Sequence, residues 1–359
     1  VTTAASSGLE VERRFAIEAV VAASRLTKAV RNDFDPSQAT SKADSSPVTV
    51  ADLGAQALIS MSMAETLPED GMLGEEDSGP LAESADLADV VLSRVQVQRP
   101  EVSLEDIRVA LDRCDDPAGP GRRWWTLDPV DGTKGFLRNE QYAVALALIE
   151  DGEVVLGVMG CPNLPYSGEP GDPNVGGPIG VLFVAERGAG ARMMPLFEAD
   201  ADRAGEPVHA AAPATTAEAR YAESVEAAHS NQSEAARIGA ALGITAEPVR
   251  LDSQTKYAMV ARGDASIYLR VPRGDYLENV WDHAAGVLIV TEAGGRVSDV
   301  EGKPFDMTTG QRMVNNRGAV VTAASIHDEV VTTVRSVLEG RSGPTASRRQ
   351  VDDPVQWRT

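Results

Sequence analysis

The sequence predicts a mixed α+β fold built in two consecutive halves. Helical spacing of apolar residues marks the N-terminal region, two apolar runs around an Asp-Gly turn mark a central β-hairpin, and strands alternate with helices in the second half. A length of 359 residues suffices for two domains and a sizeable core.

Leu9 to Arg31 carries Phe15, Ala19, Ala22, Ala23, Leu26 and Val30 at helical spacing, which predicts an amphipathic helix. Val50 to Leu67 predicts a second helix, marked by Leu53, Ala57, Leu58 and Met61 and closed by Pro68. Pro80 to Gly121 is a polar, partly helical insertion. Ser103-Leu104-Glu105-Asp106 has the form of a helix start inside it, and Asp115 to Gly121 is a Pro/Gly/Asp loop. Tyr142 to Ile149 and Val154 to Met159 flank Glu150-Asp151-Gly152-Glu153, a hairpin turn. Val181 to Ala185 is another strand, after a Gly- and Pro-rich loop from Ser167 to Gly180. Met194 to Pro207 is polar and turn-rich, so the domain boundary is expected there, between residues 1–200 and 201–342. In the second half, Ser233 to Leu242 and Ser253 to Ala261 predict short helices and Ile267 to Val271 a strand. Asp282 to Ala293 predicts an Ala-rich helix stopped by Gly294-Gly295. Hydrophobic periodicity ends near Gly340, and residues 343–359 are expected to form a disordered tail.

Charge narrows the partners. The chain has 33 basic and 54 acidic residues, a net charge of -21. Such a surface repels nucleic acid and anionic lipid, so neither is an expected partner. A small anionic substrate remains compatible where bound cations invert the local field. No apolar run approaches the roughly 18 residues of a membrane span. The expectation is a monomeric, cytoplasmic protein. A plastid or mitochondrial one is the alternative, if the uncharged Val1 to Gly8 stretch is the stub of a removed transit peptide and not a simple boundary. The two cysteines, Cys114 and Cys161, cannot form a disulfide framework, and the four histidines make no zinc pattern. Reduced intracellular thiols are expected, with one regulatory disulfide as the alternative.

The chemistry is carried by carboxylates. In Trp124-Trp125-Thr126-Leu127-Asp128-Pro129-Val130-Asp131-Gly132-Thr133, an apolar strand ends in two acids three residues apart. Pro129 restricts the backbone between them, and Gly132 permits a tight turn. Asp128, Asp131 and an adjacent backbone carbonyl are hard oxygen ligands suited to magnesium. The Gly132 and Thr133 amides lie where a helix or turn begins, a place that can cradle a phosphate oxygen. Ordinary turn chemistry is the alternative for Asp-Pro and Asp-Gly. Gly74-Glu75-Glu76 puts a carboxylate pair at the end of the apolar Met72-Leu73, or else a solvated surface pair. Asp282, in Trp281-Asp282-His283-Ala284-Ala285-Gly286, is either a site residue or the N-cap of the Ala-rich helix. Asp52 follows Thr49 in a capping-box pattern.

Taken together, Gly74-Glu75-Glu76, Asp128-Pro-Val-Asp131-Gly-Thr133 and Trp281-Asp282-His-Ala-Ala-Gly286 resemble the three-part motif of the inositol-monophosphatase-like phosphatases. The resemblance runs from about Phe15 to Leu338. It implies the layered α/β/α/β/α sandwich of inositol monophosphatase and fructose bisphosphatase. It also implies Glu75, Asp128, Asp131, Asp282 and the Val130 carbonyl as ligands of two or three Mg2+ ions, with Asp52 and Thr133 orienting the attacking water. Clustered carboxylates repel one another unless cations neutralise them, so the implied site is electrostatically coherent.

A narrower likeness lies in Gly132-Thr133-Lys134-Gly135-Phe136-Leu137-Arg138, Gly160-Cys161-Pro162-Asn163-Leu164, Ser46-Pro47-Val48-Thr49 and the long insertion after Glu76. These resemble the bisphosphate nucleotidases of the yeast and plant salt-tolerance type. So do Leu251-Asp252-Ser253-Gln254-Thr255-Lys256-Tyr257, Tyr268-Leu269-Arg270-Val271-Pro272 and Ala228-His229-Ser230. The implied substrate is a phosphorylated nucleotide, 3'-phosphoadenosine 5'-phosphate or its phosphosulfate analogue, with lithium and sodium as inhibitors. It would be held by Gly132, Thr133, His229, Asp252, Ser253, Lys256 and Arg270. Ser253 and Lys256 are three apart and are expected on one helix face, where with Arg270 they hold a phosphate. The alternatives are an inositol polyphosphate 1-phosphatase, a dual-specificity enzyme, or a non-catalytic nucleotide sensor.

Overall fold

The first half of the chain runs α1 (Glu10–Asp33), α2 (Pro47–Thr66), β1 (Gly71–Gly74), α3 (Gly79–Glu83), α4 (Ala85–Gln96), α5 (Leu104–Asp112), β2 (Arg123–Asp131), α6 (Thr133–Arg138), β3 (Ala143–Glu150), β4 (Glu153–Pro165), β5 (Ile179–Glu186), β6 (Gly190–Pro195) and β7 (Glu206–Pro207). The second runs β8 (Tyr221–Glu223), α7 (Gln232–Ala241), β9 (Val249–Arg250), α8 (Thr255–Arg262), β10 (Ile267–Arg270), α9 (Ala284–Glu292), β11 (Gly295–Ser298), β12 (Ala319–Ala323) and α10 (His327–Glu339). This computed structural model describes residues 8–33, 47–116, 121–170, 176–225, 232–272, 274 and 276–340. Ser46, His229 and the expected tail over 343–359 lie outside the described residues.

Among the described residues, strands β1 to β7 form one sheet in sequence order, parallel only between β1 and β2. The second sheet has the order β11-β12-β10-β8-β9. The α1–α2 pair covers one face of the first sheet, and α9 with α8 lies between the sheets. Helices α7 and α10 cover the far face of the second. The layers are therefore α/β/α/β/α, as the resemblance implies. None of the described helices is long and apolar enough to cross a membrane.

Side-chain size decides how closely these layers approach. Along β3, Val144, Leu146 and Leu148 face the α1–α2 side, while Ala143, Ala145 and Ala147 face the middle layer. The small face lets α9 come close. On β4, a Cβ at Gly157 would lie 2.9 Å from the Ala285 carbonyl oxygen. On α9 itself, a Cβ at Gly286 would lie 2.4 Å from Cγ of the fully buried Tyr257 on α8. Gly286, the last residue of the third motif, thus serves the packing of two helices.

Several predicted elements form with altered ends. The Asp-Gly hairpin is present, with Asp151 and Gly152 at φ 51° and 83°, the left-handed pair that a two-residue turn needs. Ser103 starts α5 with a full capping box to Asp106. Helix α2 starts at Pro47, so Thr49 and Asp52 lie inside it and the capping-box pattern there is not a cap. Proline fits that first position because its missing N–H has no helical partner there. Strand β6 extends into the segment expected to be turn-rich, and the following Leu196 is fully buried. The Ala-rich helix starts at Ala284, because Asp282 belongs to a preceding 3-10 turn, Val280–Asp282. Asp282 is thus no N-cap; its carboxylate accepts from the Asn279 backbone N–H.

Substituting Gly286→Ala is expected to destabilise the fold by about 1–3 kcal/mol through overpacking against Tyr257. Urea unfolding of the two proteins measures it.

Candidate active site

The site forms where strand ends and one short turn converge. Strands β1 and β2 run parallel, with Gly74 beside Leu127. One residue further, Glu75 comes close enough to Asp128 for each to act on the other's carboxylate. The β2–β3 register breaks between Asp128 and Asp131, which lets two acids from one strand turn toward one point. Asp282 arrives from the 3-10 turn. Carboxylate oxygens of Asp128, Asp131 and Asp282 lie within 4.8 Å of one another.

Burial and mutual repulsion push these groups toward their neutral forms. Burial, then Glu76, Asp282 and Asp131, raise the Glu75 carboxyl to about 7. Burial and the acids around it push Asp128 well above the usual carboxylate range. Asp52, on α2, is raised likewise by burial and by Glu76 and Glu75, which places it at the edge of the cluster. Burial also raises Asp131, against the opposing pull of Lys256, the Gln254 amide and Arg270. Asp128 Oδ1 is buried and has no hydrogen-bond partner. An all-oxygen set with an unpartnered buried carboxylate oxygen fits a hard divalent cation.

A cavity of about 350 Å³ opens against this cluster. Asp131, Gly132, Thr133, Lys256, Arg270 and Asp282 are among the residues that line it. Gly132 has φ 95°, and a Cβ there would lie 2.7 Å from Ser253 Cβ, so only glycine lets the two halves meet here. Lys256 is buried, its Nζ 3.4 Å from the Leu251 carbonyl oxygen and 5.3 Å from the centroid of the Tyr268 ring. Burial lowers its ammonium to about 8, with Asp131 and Asp252 opposing. Arg270 Nη2 donates to Asp282 Oδ2 at 3.4 Å.

The structure brings Glu75, Asp128, Asp131 and Asp282 together, with Asp52 beside them. Val130 buries its side chain among Phe136 and Tyr142, which leaves only its backbone for a site role. Thr133 is exposed at the start of α6, and no hydrogen bond joins it to Asp52. One expectation changes. Ser253 precedes α8 at φ 71° and does not share a helix face with Lys256; its hydroxyl is within 2.7 Å of Thr255 Oγ1. Asp252 lines the cavity, but its carboxylate is ion-paired with Arg138. His229 lies outside the described residues. Cys114 and Cys161 are free and buried in separate parts of the core. Burial raises their thiols to about 11 and about 12, so both are poor nucleophiles.

Gln254, inside the Leu251–Tyr257 string, is a further site residue beyond those singled out from the sequence. Its backbone N–H donates to Asp131, and its Nε2 donates to the Trp281 carbonyl at 3.0 Å and reaches Asp128 Oδ2 at 3.5 Å. Its position between Ser253 and Lys256 was the available signal. Tyr268 and Tyr276 also line the cavity.

Comparison with known proteins agrees with this geometry. The model of the inositol monophosphatase family matches residues 9–339. A 3'(2'),5'-bisphosphate nucleotidase of Emericella nidulans is 42% identical over 354 residues, covering 92% of this chain and 99% of the relative. The enzymes of that name from Schizosaccharomyces pombe and Oryza sativa are each 39% identical, covering 91% and 94% of this chain and 96% and 97% of their own. Among solved structures, an inositol monophosphatase from Zymomonas mobilis matches with a TM-score of 0.61 at 19% identity, over 92% of this chain and all of the other. A Thermotoga maritima IMPase matches at 0.58 and 21%, over 91% and 97%. With a match along nearly its whole length, and with the acidic cluster and cavity in place, the chain belongs to the inositol monophosphatase family.

Proposed function

We propose that the chain is a magnesium-dependent phosphomonoesterase that hydrolyses 3'-phosphoadenosine 5'-phosphate to adenosine 5'-phosphate and inorganic phosphate. One observation carries this reading: a cavity lined by the buried Lys256 and the partly buried Arg270 opens onto the Asp131–Asp282 edge of the acidic cluster. A substrate with two phosphates has a place for each. The reacting phosphate sits at the cluster, and the other is held by Lys256 and Arg270. The names of the relatives support the same substrate class.

Glu75, Asp128, Asp131, Asp282 and the Val130 carbonyl are the groups that would hold two or three Mg2+ ions. Such ions supply electrostatic stabilisation of the transferring phosphoryl group and activation of water. The chain's own residues do the rest. Gly132 and Thr133 face the reacting phosphate at the start of α6. Thr133 orients the attacking water, and Asp52 is the acceptor for its proton. The water oxygen bonds to phosphorus, the P–O3' bond breaks, and the leaving oxygen takes up a proton. Asp252, ion-paired with Arg138, anchors α6 and thereby Thr133. The two halves divide the work: residues 1–200 carry most of the ligands, and residues 201–342 carry the nucleotide-binding groups and Asp282.

Malachite-green detection across phosphorylated nucleotides and inositols, with and without magnesium, tests the reading. The expected result is magnesium-dependent phosphate release with the bisphosphorylated adenosine preferred; preference for an inositol bisphosphate would sink the substrate assignment. Asp131→Asn or Asp282→Asn is expected to abolish turnover while the circular dichroism spectrum stays native. Lys256→Ala removes a charge-assisted contact and is expected to raise KM by about tenfold to a hundredfold.

A melting experiment checks the cluster itself. Glu75, raised in the folded state, contributes stability that is present below the ordinary carboxylate pKa and lost as pH rises through about 7. Chelated protein therefore carries unrelieved repulsion at pH 8, whereas at pH 5.5 protons relieve it and a cation must displace them. Magnesium is expected to raise the melting temperature more at pH 8 than at pH 5.5. Asp128→Asn should shrink that difference.

A further inference from the structure

Behind the cavity, outside the acidic cluster, runs a line of buried polar groups. The Tyr257 hydroxyl lies 2.6 Å from His283 Nδ1. The other ring nitrogen, Nε2, lies 3.5 Å from Glu278 Oε2. The same Glu278 oxygen is 2.8 Å from Arg270 Nε, a charge contact and not an aligned hydrogen bond. Tyr257 and His283 are fully buried, and Glu278 is 5% exposed.

With Nδ1 taken up by the Tyr257 hydroxyl, the outer ring nitrogen Nε2 is the one turned to Glu278, and an N–H there suits a carboxylate. His283, just before α9, and Arg270, on β10, thus flank the carboxylate from two sides at 3.5 and 2.8 Å, by electrostatic contact and not by aligned hydrogen bonds. Glu278, Asp282 and His283 do offer atoms within 4.8 Å of one another. Yet Glu278 faces a guanidinium and His283 Nδ1 faces a hydroxyl, so these three read as an ion-pair line and not as a second cation site.

Arg270 is shared between two carboxylates. Glu278 takes its Nε side, and Asp282 takes Nη2 at 3.4 Å. Without Glu278, the guanidinium would be drawn to Asp282 and Asp131, toward the acidic cluster and away from the cavity. We propose that Glu278, oriented by Tyr257 through His283, is a positioning residue that holds Arg270 in place for the non-reacting phosphate of the substrate. This rests on the phosphatase reading above, and it identifies the groups that set preference for a second phosphate.

The test compares 3'-phosphoadenosine 5'-phosphate with adenosine 3'-phosphate, which lacks the second phosphate, using the full chain in magnesium. Glu278→Gln is expected to raise KM for the bisphosphate about tenfold with kcat within about twofold, and to leave KM for the monophosphate unchanged. In an Arg270→Lys background, Glu278→Gln should add nothing further. Equal losses on both substrates, a fall in kcat alone, or full additivity with Arg270→Lys would overturn the proposal. If Glu278→Gln fails to melt cooperatively, Tyr257→Phe decides: a smaller KM rise confined to the bisphosphate supports it, and an unchanged KM refutes it. If the unmodified chain releases no phosphate from either nucleotide, the functional reading fails separately. Calorimetric affinity for the bisphosphate then decides the role of Glu278, with about tenfold weaker binding expected in Glu278→Gln and equal binding contradicting it.

Discussion

Buried like charge is the constraint around which this fold is organised. Two unit charges about 4 Å apart repel by about 4 kcal/mol at the effective dielectric of a protein site. Asp128, Asp131 and Asp282 meet at such distances, with Glu75 close to Asp128 and Asp52 at the edge. No single element could hold them there. The parallel β1–β2 pair aligns Glu75 with Asp128, the broken β2–β3 register turns Asp131 inward, and the Asn279 amide fixes Asp282. Each is anchored in a layer whose apolar core lies elsewhere, so repulsion at the centre is opposed by packing at a distance.

The close approach of the halves is the second requirement, and small residues provide it. Alanines along β3 and Gly157 on β4 admit α9, Gly286 on α9 admits the Tyr257 ring, and Gly132 admits Ser253. The last contact joins the Asp128–Thr133 strand end to the segment that carries Gln254 and Lys256. Gln254 then bridges the halves chemically, touching both Asp131 and Asp128. Site geometry and interlayer packing are therefore one problem: a methyl group added in the middle layer moves the carboxylates as well.

What was legible in the sequence follows from the range of the interactions. The acidic motifs are local strings, so Glu75, Asp128, Asp131 and Asp282 could be grouped from residue order alone. The Asp151-Gly152 hairpin and the Ser103 cap are local too. Strands β8 and β9, of three and two residues, are too short to show a period. Helix α10 carries Val330, Val331 and Val334 at helical spacing, yet the sequence reading did not include it. Gln254 and Glu278 were hidden for another reason. Their roles depend on partners that the fold supplies: Gln254 stands in the Leu251–Tyr257 string, but its bridge to Asp131 and Asp128 is visible only in three dimensions, and Glu278 stands in no motif. Ser253 shows the converse failure, where a plausible helix spacing was overridden by a left-handed backbone at φ 71°.

The charge distribution then reconciles an acidic chain with an anionic ligand. With a net charge of -21, the protein's far field opposes a bisphosphate. Recognition must therefore come from short-range groups inside the cavity, where water is scarce and each contact counts for more. On the proposed reading Lys256 and Arg270 take that role: burial has removed much of the hydration of Lys256 and lowers its ammonium to about 8, and Arg270 is partly buried beside it. Such cations are unfavourable alone and gain most from a phosphate. The carboxylates opposite are equally unfavourable without a cation. On the proposed reading, these two sets of frustrated charge at one cavity would each be relieved by a different half of the same metal-bound substrate, which is a physical basis for binding the two together.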